Sequence, residues 1–140
     1  MQVLYTAEAL STGDGRNGHA RTTDGKIDVE LSAPKEMGGS GAGTNPEQLF
    51  AAGYAACFHS ALRLIGKQAE ANIDDSAVGA KVGLGTNGAG GFGLTVTLEV
   101  SLPHLAEEQA RQLADKAHQV CPYSNAVHGN IDVEIRIAED

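Results

Sequence analysis

The sequence predicts an α+β protein in which antiparallel sheets surround one buried central helix. Three features predict it. Apolar and polar residues alternate near both ends of the chain; residues 49–62 are apolar on nearly every side; and residues 105–120 carry apolar positions at helical spacing.

In chain order, residues 2–11 and 27–33 alternate in places and are punctuated by Gly13, Gly15, Gly18 and Gly25, which predicts short strands joined by turns. Residues 37–43, Met-Gly-Gly-Ser-Gly-Ala-Gly, are too glycine-rich for a regular element. They lead into Thr44-Asn45-Pro46-Glu47, where Thr44 suits a helix cap answered by Glu47, and Pro46 suits the first turn.

The apolar run from Leu49 to Leu62 then predicts a core helix. Glu47 and Arg63 leave only about 15 uncharged residues between them, short of the ~20 that a bilayer demands, so no membrane span is expected. Runs at 77–84 and 92–102 predict a hairpin, with the glycine-rich 87–91 stretch as a loop longer than two residues. Leu105, Ala110, Leu113, Ala114, Ala117 and Val120 mark an amphipathic helix ending near Cys121-Pro122. Ile131, Val133, Ile135 and Ile137 alternate strictly with polar residues and predict the last strand.

At 140 residues the chain fits a single domain over 1–140. Its formal net charge of -8, with scattered lysines and arginines, argues against nucleic acid or an anionic membrane as a partner. The start, Met1-Gln2-Val3-Leu4-Tyr5, lacks the basic and apolar regions of a secretory signal, so a cytoplasmic location is expected. Only two cysteines occur, and in a reducing compartment such a pair is redox-active, metal-bound or inert rather than a structural staple.

Cys57 lies among Ala55, Ala56 and Phe58, where desolvation alone keeps a thiol protonated and inert. Reactivity demands a cation, and the candidates are Arg16, Arg21 and Arg63. Arg16 is best placed, because its glycine neighbours let the backbone turn and approach another element; a solvated turn arginine is the plain alternative. Glu47 is either half of a capping box or the carboxylate that fork-binds Arg16. Ten residues separate it from Cys57, about 15 Å along a straight helix. For both to serve one site, either the helix breaks at Gly53 or the two meet across a two-fold interface, which predicts a homodimer.

Cys121 sits at a helix end, where backbone can shift as disulfide formation requires; a packed helix-end cysteine is the alternative. Tyr54, Phe58 and Tyr123 are candidates for an apolar substrate wall, or simply for core. Cys57, His59, His118 and Cys121 together match a zinc count, but residues two apart on a helix point to different sides, so no metal is expected. His19, His104 and His128 are expected at the surface. No dinucleotide fingerprint follows a strand, and no cofactor is expected.

Two long segments, Gly43-Thr44-Asn45-Pro46-Glu47-Gln48-Leu49-Phe50-Ala51-Ala52-Gly53-Tyr54-Ala55-Ala56-Cys57-Phe58 and Val120-Cys121-Pro122-Tyr123-Ser124-Asn125-Ala126, resemble the organic hydroperoxide resistance proteins, the Ohr branch of the Ohr/OsmC family. The resemblance covers essentially the whole chain, and the Cys-Pro-Tyr-Ser form around Cys121 resembles the Ohr rather than the OsmC branch. It implies an OsmC-like fold in an intertwined homodimer with sites at the interface. It implies a peroxidatic Cys57, a resolving Cys121, and an Arg16–Glu47 pair, with Arg21 the competing arginine. It also implies an organic hydroperoxide substrate, and a dihydrolipoyl group on a lipoylated protein, or another dithiol, as reductant. The rivals are a fold-mate that binds a small apolar ligand with idle cysteines, and a zinc-binding structural protein.

Overall fold

The structure, a computed structural model, describes residues 1–139. Residue contacts group the chain into two compact units, Met1–Leu49 and Phe50–Asp140, where the sequence is read as one domain.

The first unit carries a three-stranded antiparallel sheet in the order β1-β2-β3, with β1 at Ala9–Thr12, β2 at His19–Thr22 and β3 at Asp28–Glu30. Its register pairs Ala9 with Thr22 and Ala20 with Val29. Residues 2–8, expected as part of the first strand, have no regular structure, and β2 is an element that the alternation does not announce. A single 3-10 turn, Gly15–Asn17, joins β1 to β2 and presents Arg16. Gly13, just before that turn, and Gly15, its first residue, have φ of 75° and 63°, in the left-handed region that glycine enters without a steric penalty.

Helix α1, Pro46–Gln68, starts in this unit and continues from Phe50 in the second. Its cap is Asn45, whose side-chain Oδ1 accepts the Gln48 amide at 2.9 Å, with Pro46 as the first helical residue. Thr44 donates instead to Gln48 Oε1 at 2.8 Å. The expected Thr44–Glu47 box is therefore displaced by one residue. Asn45 competes better for the cap, and Glu47 is released from it.

The second unit builds its core from α1, a three-stranded sheet and two further helices. On α1, Tyr54, Phe58 and Leu62 are fully buried at successive four-residue intervals, each contributing about 1.5–3 kcal/mol of apolar burial. The opposite stripe, including Leu49, Ala52, Ala56 and Leu64, stays exposed, so the all-round apolar helix buries one face rather than its whole circumference. α1 is long and apolar enough to span a bilayer by length and composition, but it carries Glu47, Arg63 and Lys67, and its buried face is part of the protein core.

Strands β4, Ala77–Thr86, and β5, Phe92–Ser101, form the expected hairpin across an 87–91 loop closed by the Asn87 amide on the Gly91 carbonyl at 3.1 Å. Val96, Leu98 and Val100 alternate inward along β5. Helix α2, Glu107–Val120, buries Ala110, Leu113, Ala114 and Ala117, one helical stripe. A short helix α3, Pro122–Val127, follows directly, and β6, Val133–Ile137, completes the sheet. β6 lies parallel to β5, Leu98 opposite Ile135, so this second sheet is mixed rather than purely antiparallel. The α2–α3 segment is the crossover that returns the chain to the same end of the sheet.

Candidate active site

Cys57 and Cys121, 64 residues apart, meet in the second unit with their sulfur atoms 3.6 Å apart. Both are free thiols; Cys121 is buried and Cys57 half-buried. The position of Cys57 follows from helical spacing, since it lies three residues after Tyr54 and beside Phe58 on α1. Cys121 is held by backbone at a corner. It closes α2 by donating its amide to the Ala117 carbonyl at 2.9 Å, and its own carbonyl accepts the Asn125 amide of α3 at 3.0 Å. Pro122 cannot continue the first helix through its missing N–H but suits the first position of the next, so the corner is built into the sequence.

Burial pushes the Cys57 thiol pKa up, and the Tyr123 backbone N–H pulls it the other way. Among the described residues none of the groups acting on it is a cation. The thiol pair therefore has proximity but not, from its own unit, the charge that would favour a thiolate.

The first unit holds a carboxylate-paired arginine. Arg16 donates to both carboxylate oxygens of Glu47, Nη1 to Oε2 at 2.8 Å and Nη2 to Oε1 at 2.6 Å. This is a planar fork-to-fork pair, and it holds the guanidinium on a side chain that is still 39% exposed. The hydrogen bond from Arg16 holds the Glu47 carboxyl below its ordinary range, and the same bond raises Arg16. Arg21 is engaged elsewhere, with its Nε 3.6 Å from Asp28 across the β2–β3 rung. Arg63 donates to Ser76 Oγ at 3.0 Å.

α1 is helical at every residue from Pro46 to Gln68, so Gly53 does not break it. Gly53 has a different reason to be there. A Cβ on it would lie 2.8 Å from Tyr123 Oη and 3.2 Å from the ring, so glycine is what lets the Tyr123 ring rest on the helix.

Of the three candidate wall residues, Tyr54 and Phe58 are fully buried core residues, while Tyr123 remains 37% exposed. Phe50, not singled out from the sequence, completes an aromatic cluster, its centroid 5.9 Å from each of Tyr54 and Tyr123. A spacing of Phe50 and Tyr54 at i and i+4 was the available signal.

The histidines do not converge on the thiols. His59 Nε2 faces Ser76 Oγ at 2.9 Å, and His118 Nδ1 faces Ser124 Oγ at 2.8 Å. Among the described residues no group of three or more His, Cys, Asp or Glu is placed to hold one metal ion. His19 sits between Glu30 and Asp28, and His104 pairs with Asp75.

The OsmC-like protein family matches residues 38–136. An organic hydroperoxide resistance protein of Xanthomonas axonopodis pv. citri is 49% identical over 139 residues, covering 98% of this chain and 96% of that protein. Among solved structures, an organic hydroperoxide resistance protein from Elizabethkingia anophelis superposes with a TM-score of 0.94 at 48% identity, each chain covered in full. OhrB of Bacillus subtilis superposes at 0.88 with 42% identity, covering 97% of this chain and all of that one. The chain therefore belongs to the OsmC-like family, in its organic hydroperoxide resistance branch.

Proposed function

We propose that the protein is a thiol peroxidase that reduces organic hydroperoxides, alkyl, aryl or fatty-acid, to alcohols, with Cys57 attacking and Cys121 resolving. The observation that carries this reading is the 3.6 Å approach of the two sulfurs. Closing it to a disulfide of ~2.05 Å requires a movement of only about 1.5 Å. The names of the relatives point to the same substrate class.

In the proposed cycle the Cys57 thiolate attacks the distal peroxide oxygen. The O–O bond breaks, the alkoxide leaves and is protonated to the alcohol, and Cys57 becomes a sulfenic acid. Cys121 then displaces the hydroxyl, which departs as water, and the Cys57–Cys121 disulfide forms. A dithiol, by this reading a dihydrolipoyl group on a lipoylated protein, restores both thiols by exchange. Sulfur supplies the redox chemistry throughout, so the cycle calls for no cofactor. Tyr123, with Phe50 and the buried Tyr54 and Phe58 behind it, supplies an apolar surface for the organic group.

Arg16, fixed by Glu47, is assigned the role of the cation that favours the thiolate and orients the peroxide. With α1 unbroken at Gly53, we place the meeting of this pair with Cys57 across the two-fold interface of a homodimer. The exposed stripe of Leu49, Ala52, Ala56 and Leu64, together with exposed Val3, Leu4 and Tyr5, supports a second copy as its cover. The compartment assigned is the cytoplasm.

The test is to add one equivalent of cumene hydroperoxide to the reduced protein and read its mass. Loss of two protons mapping to Cys57–Cys121 supports the peroxidase. A fully reduced, unchanged protein sinks it and leaves the idle-thiol reading.

A further inference from the structure

Three polar side chains from three helices form a continuous line beside the thiol pair. Tyr54 Oη lies 2.7 Å from Ser124 Oγ, and Ser124 Oγ lies 2.8 Å from His118 Nδ1. Tyr54 and Ser124 are buried, at 0% and 2% exposure, while His118 is half-buried. A buried polar chain of this kind is costly unless every member is satisfied, and here each finds its partner. The line brackets the reactive residues. Tyr54 precedes Cys57 by one turn of α1, and His118 and Ser124 stand three residues before and after Cys121.

The outer end opens to water. His118 and Ser124 line a hollow of about 360 Å³ together with His128, Asp132 and apolar residues including Val127 and Val133. The titratable groups facing His118 are Asp115 on its own helix, and His128 and Asp132 from the segment after α3; β6 contributes only apolar Val133.

Resting on the peroxidase reading above, we propose that Tyr54, Ser124 and His118 are positioning residues that hold the Cys121 corner against α1, and that His118 makes disulfide formation sensitive to acid. With neutral His118 protonated on Nε2, Tyr54 donates to Ser124 and Ser124 donates to Nδ1, so every hydroxyl proton has an acceptor. When His118 takes a proton, Nδ1 becomes a donor to Ser124. Either the Ser124 or the Tyr54 hydroxyl proton then loses its acceptor within the line. Both contacts of the line persist, but one buried hydroxyl proton is left unsatisfied, and that penalty weakens the hold that keeps Cys121 opposite Cys57. Burial pushes the His118 pKa down, so the intact line is the state at neutral pH and the change falls on the acid side of the ordinary histidine value.

The step affected is the second one. In it the S–O bond of the Cys57 sulfenic acid breaks, the S–S bond forms, and the proton of Cys121 leaves with the hydroxyl as water. Cys121 sulfur is oxidised and Cys57 sulfur is reduced.

The experiment is single-turnover oxidation of the full-length protein with cumene hydroperoxide between pH 5 and 8. It follows both disulfide formation and the Cys57 sulfenic acid trapped by dimedone. Ser124→Ala removes both bonds of the line and is expected to slow disulfide formation about tenfold or more, so that trapped sulfenic acid accumulates. His118→Asn places a carboxamide oxygen near the position of Nδ1, an acceptor that does not titrate. It is expected to keep a near wild-type rate at pH 7.5 while losing the fall in rate that the wild type shows toward pH 5. Far-ultraviolet circular dichroism of both variants separates a loss of fold from a loss of position.

If the folded variants form the disulfide at the wild-type rate across the whole pH range, the line has no positioning role and the proposal is overturned. A wild-type protein that forms no disulfide at all overturns the peroxidase reading, and this proposal with it. The two failures are thereby distinguished.

Discussion

The sulfur of Cys121 faces that of Cys57 at 3.6 Å from a residue that ends one helix and begins the next. A corner of this kind can move by an ångström or two without unfolding either helix, which is the freedom a resolving thiol needs.

Cys57→Ser is accordingly expected to reduce hydroperoxide consumption to the uncatalysed level. Cys121→Ser should retain the first oxidation, gain one oxygen at Cys57 and fail to turn over. Intact-protein mass after one equivalent of cumene hydroperoxide checks both. Sustained turnover by Cys57→Ser would remove Cys57 from the chemistry.

The Arg16–Glu47 fork predicts a pH dependence with a definite sign. Glu47 has a folded pKa below its unfolded value, so the stability it contributes is present above the unfolded value of about 4.3 and is lost as pH falls through the folded one. Arg16 is raised, and its contribution is lost only in strong alkali. Because Arg16 is 39% exposed, solvent screening limits the pair to less than about 1 kcal/mol. Glu47→Gln should therefore barely change Tm at pH 7 and should abolish part of the acid destabilisation. It should nonetheless slow oxidation of Cys57 severalfold, since the guanidinium loses the carboxylate that orients it. An unchanged oxidation rate in stopped-flow would separate the pair from the reaction.

Asn45→Ala tests whether the cap frees Glu47 for that task. Removing the side-chain acceptor of the Gln48 amide should cost about 1 kcal/mol of unfolding free energy, measured by urea denaturation. Thr44→Ala should cost less, because Thr44 bonds the Gln48 side chain and not the helix backbone. Equal losses would restore Thr44 as the cap.

The long elements of this fold are legible in the sequence because their periods are clean. The stripe Ala110, Leu113, Ala114, Ala117 on α2 and the alternation of β6 are local patterns that packing then fulfils. β2 is not legible, since His-Ala-Arg-Thr offers no apolar alternation and becomes a strand only through its two neighbours. α3 is hidden because Pro-Tyr-Ser-Asn carries the residues of a turn. The parallel pairing of β6 depends on the path of α2 and α3, which no residue in β6 records. At the candidate site, Cys57, Cys121, Arg16 and Glu47 are all visible as residue types. The choice between Thr44 and Asn45 as cap is not, because both side chains are good caps one position apart. The Tyr54–Ser124–His118 line joins residues 70 and 6 apart, and only the fold brings them together.

Gly53 supplies the last test, because two effects of known sign oppose each other there. Gly53→Ala adds helix propensity in the interior of α1, a gain of about 1 kcal/mol. The new Cβ, however, would stand 2.8 Å from Tyr123 Oη and 3.3 Å from the adjoining ring carbon. Tyr123 is 37% exposed, so its ring can swing outward rather than force the helices apart. The two terms nearly cancel in stability, and urea denaturation should find a change within about 1 kcal/mol. The chemistry does not share in the cancellation. Tyr123 follows Cys121 by two residues and its amide acts on Cys57, so a ring that has left α1 no longer anchors the start of α3 beside the thiol. Disulfide formation in Gly53→Ala should therefore slow severalfold at nearly unchanged Tm. A variant as fast as wild type would mean that the packing of Tyr123 on α1 does not govern the approach of the two sulfurs.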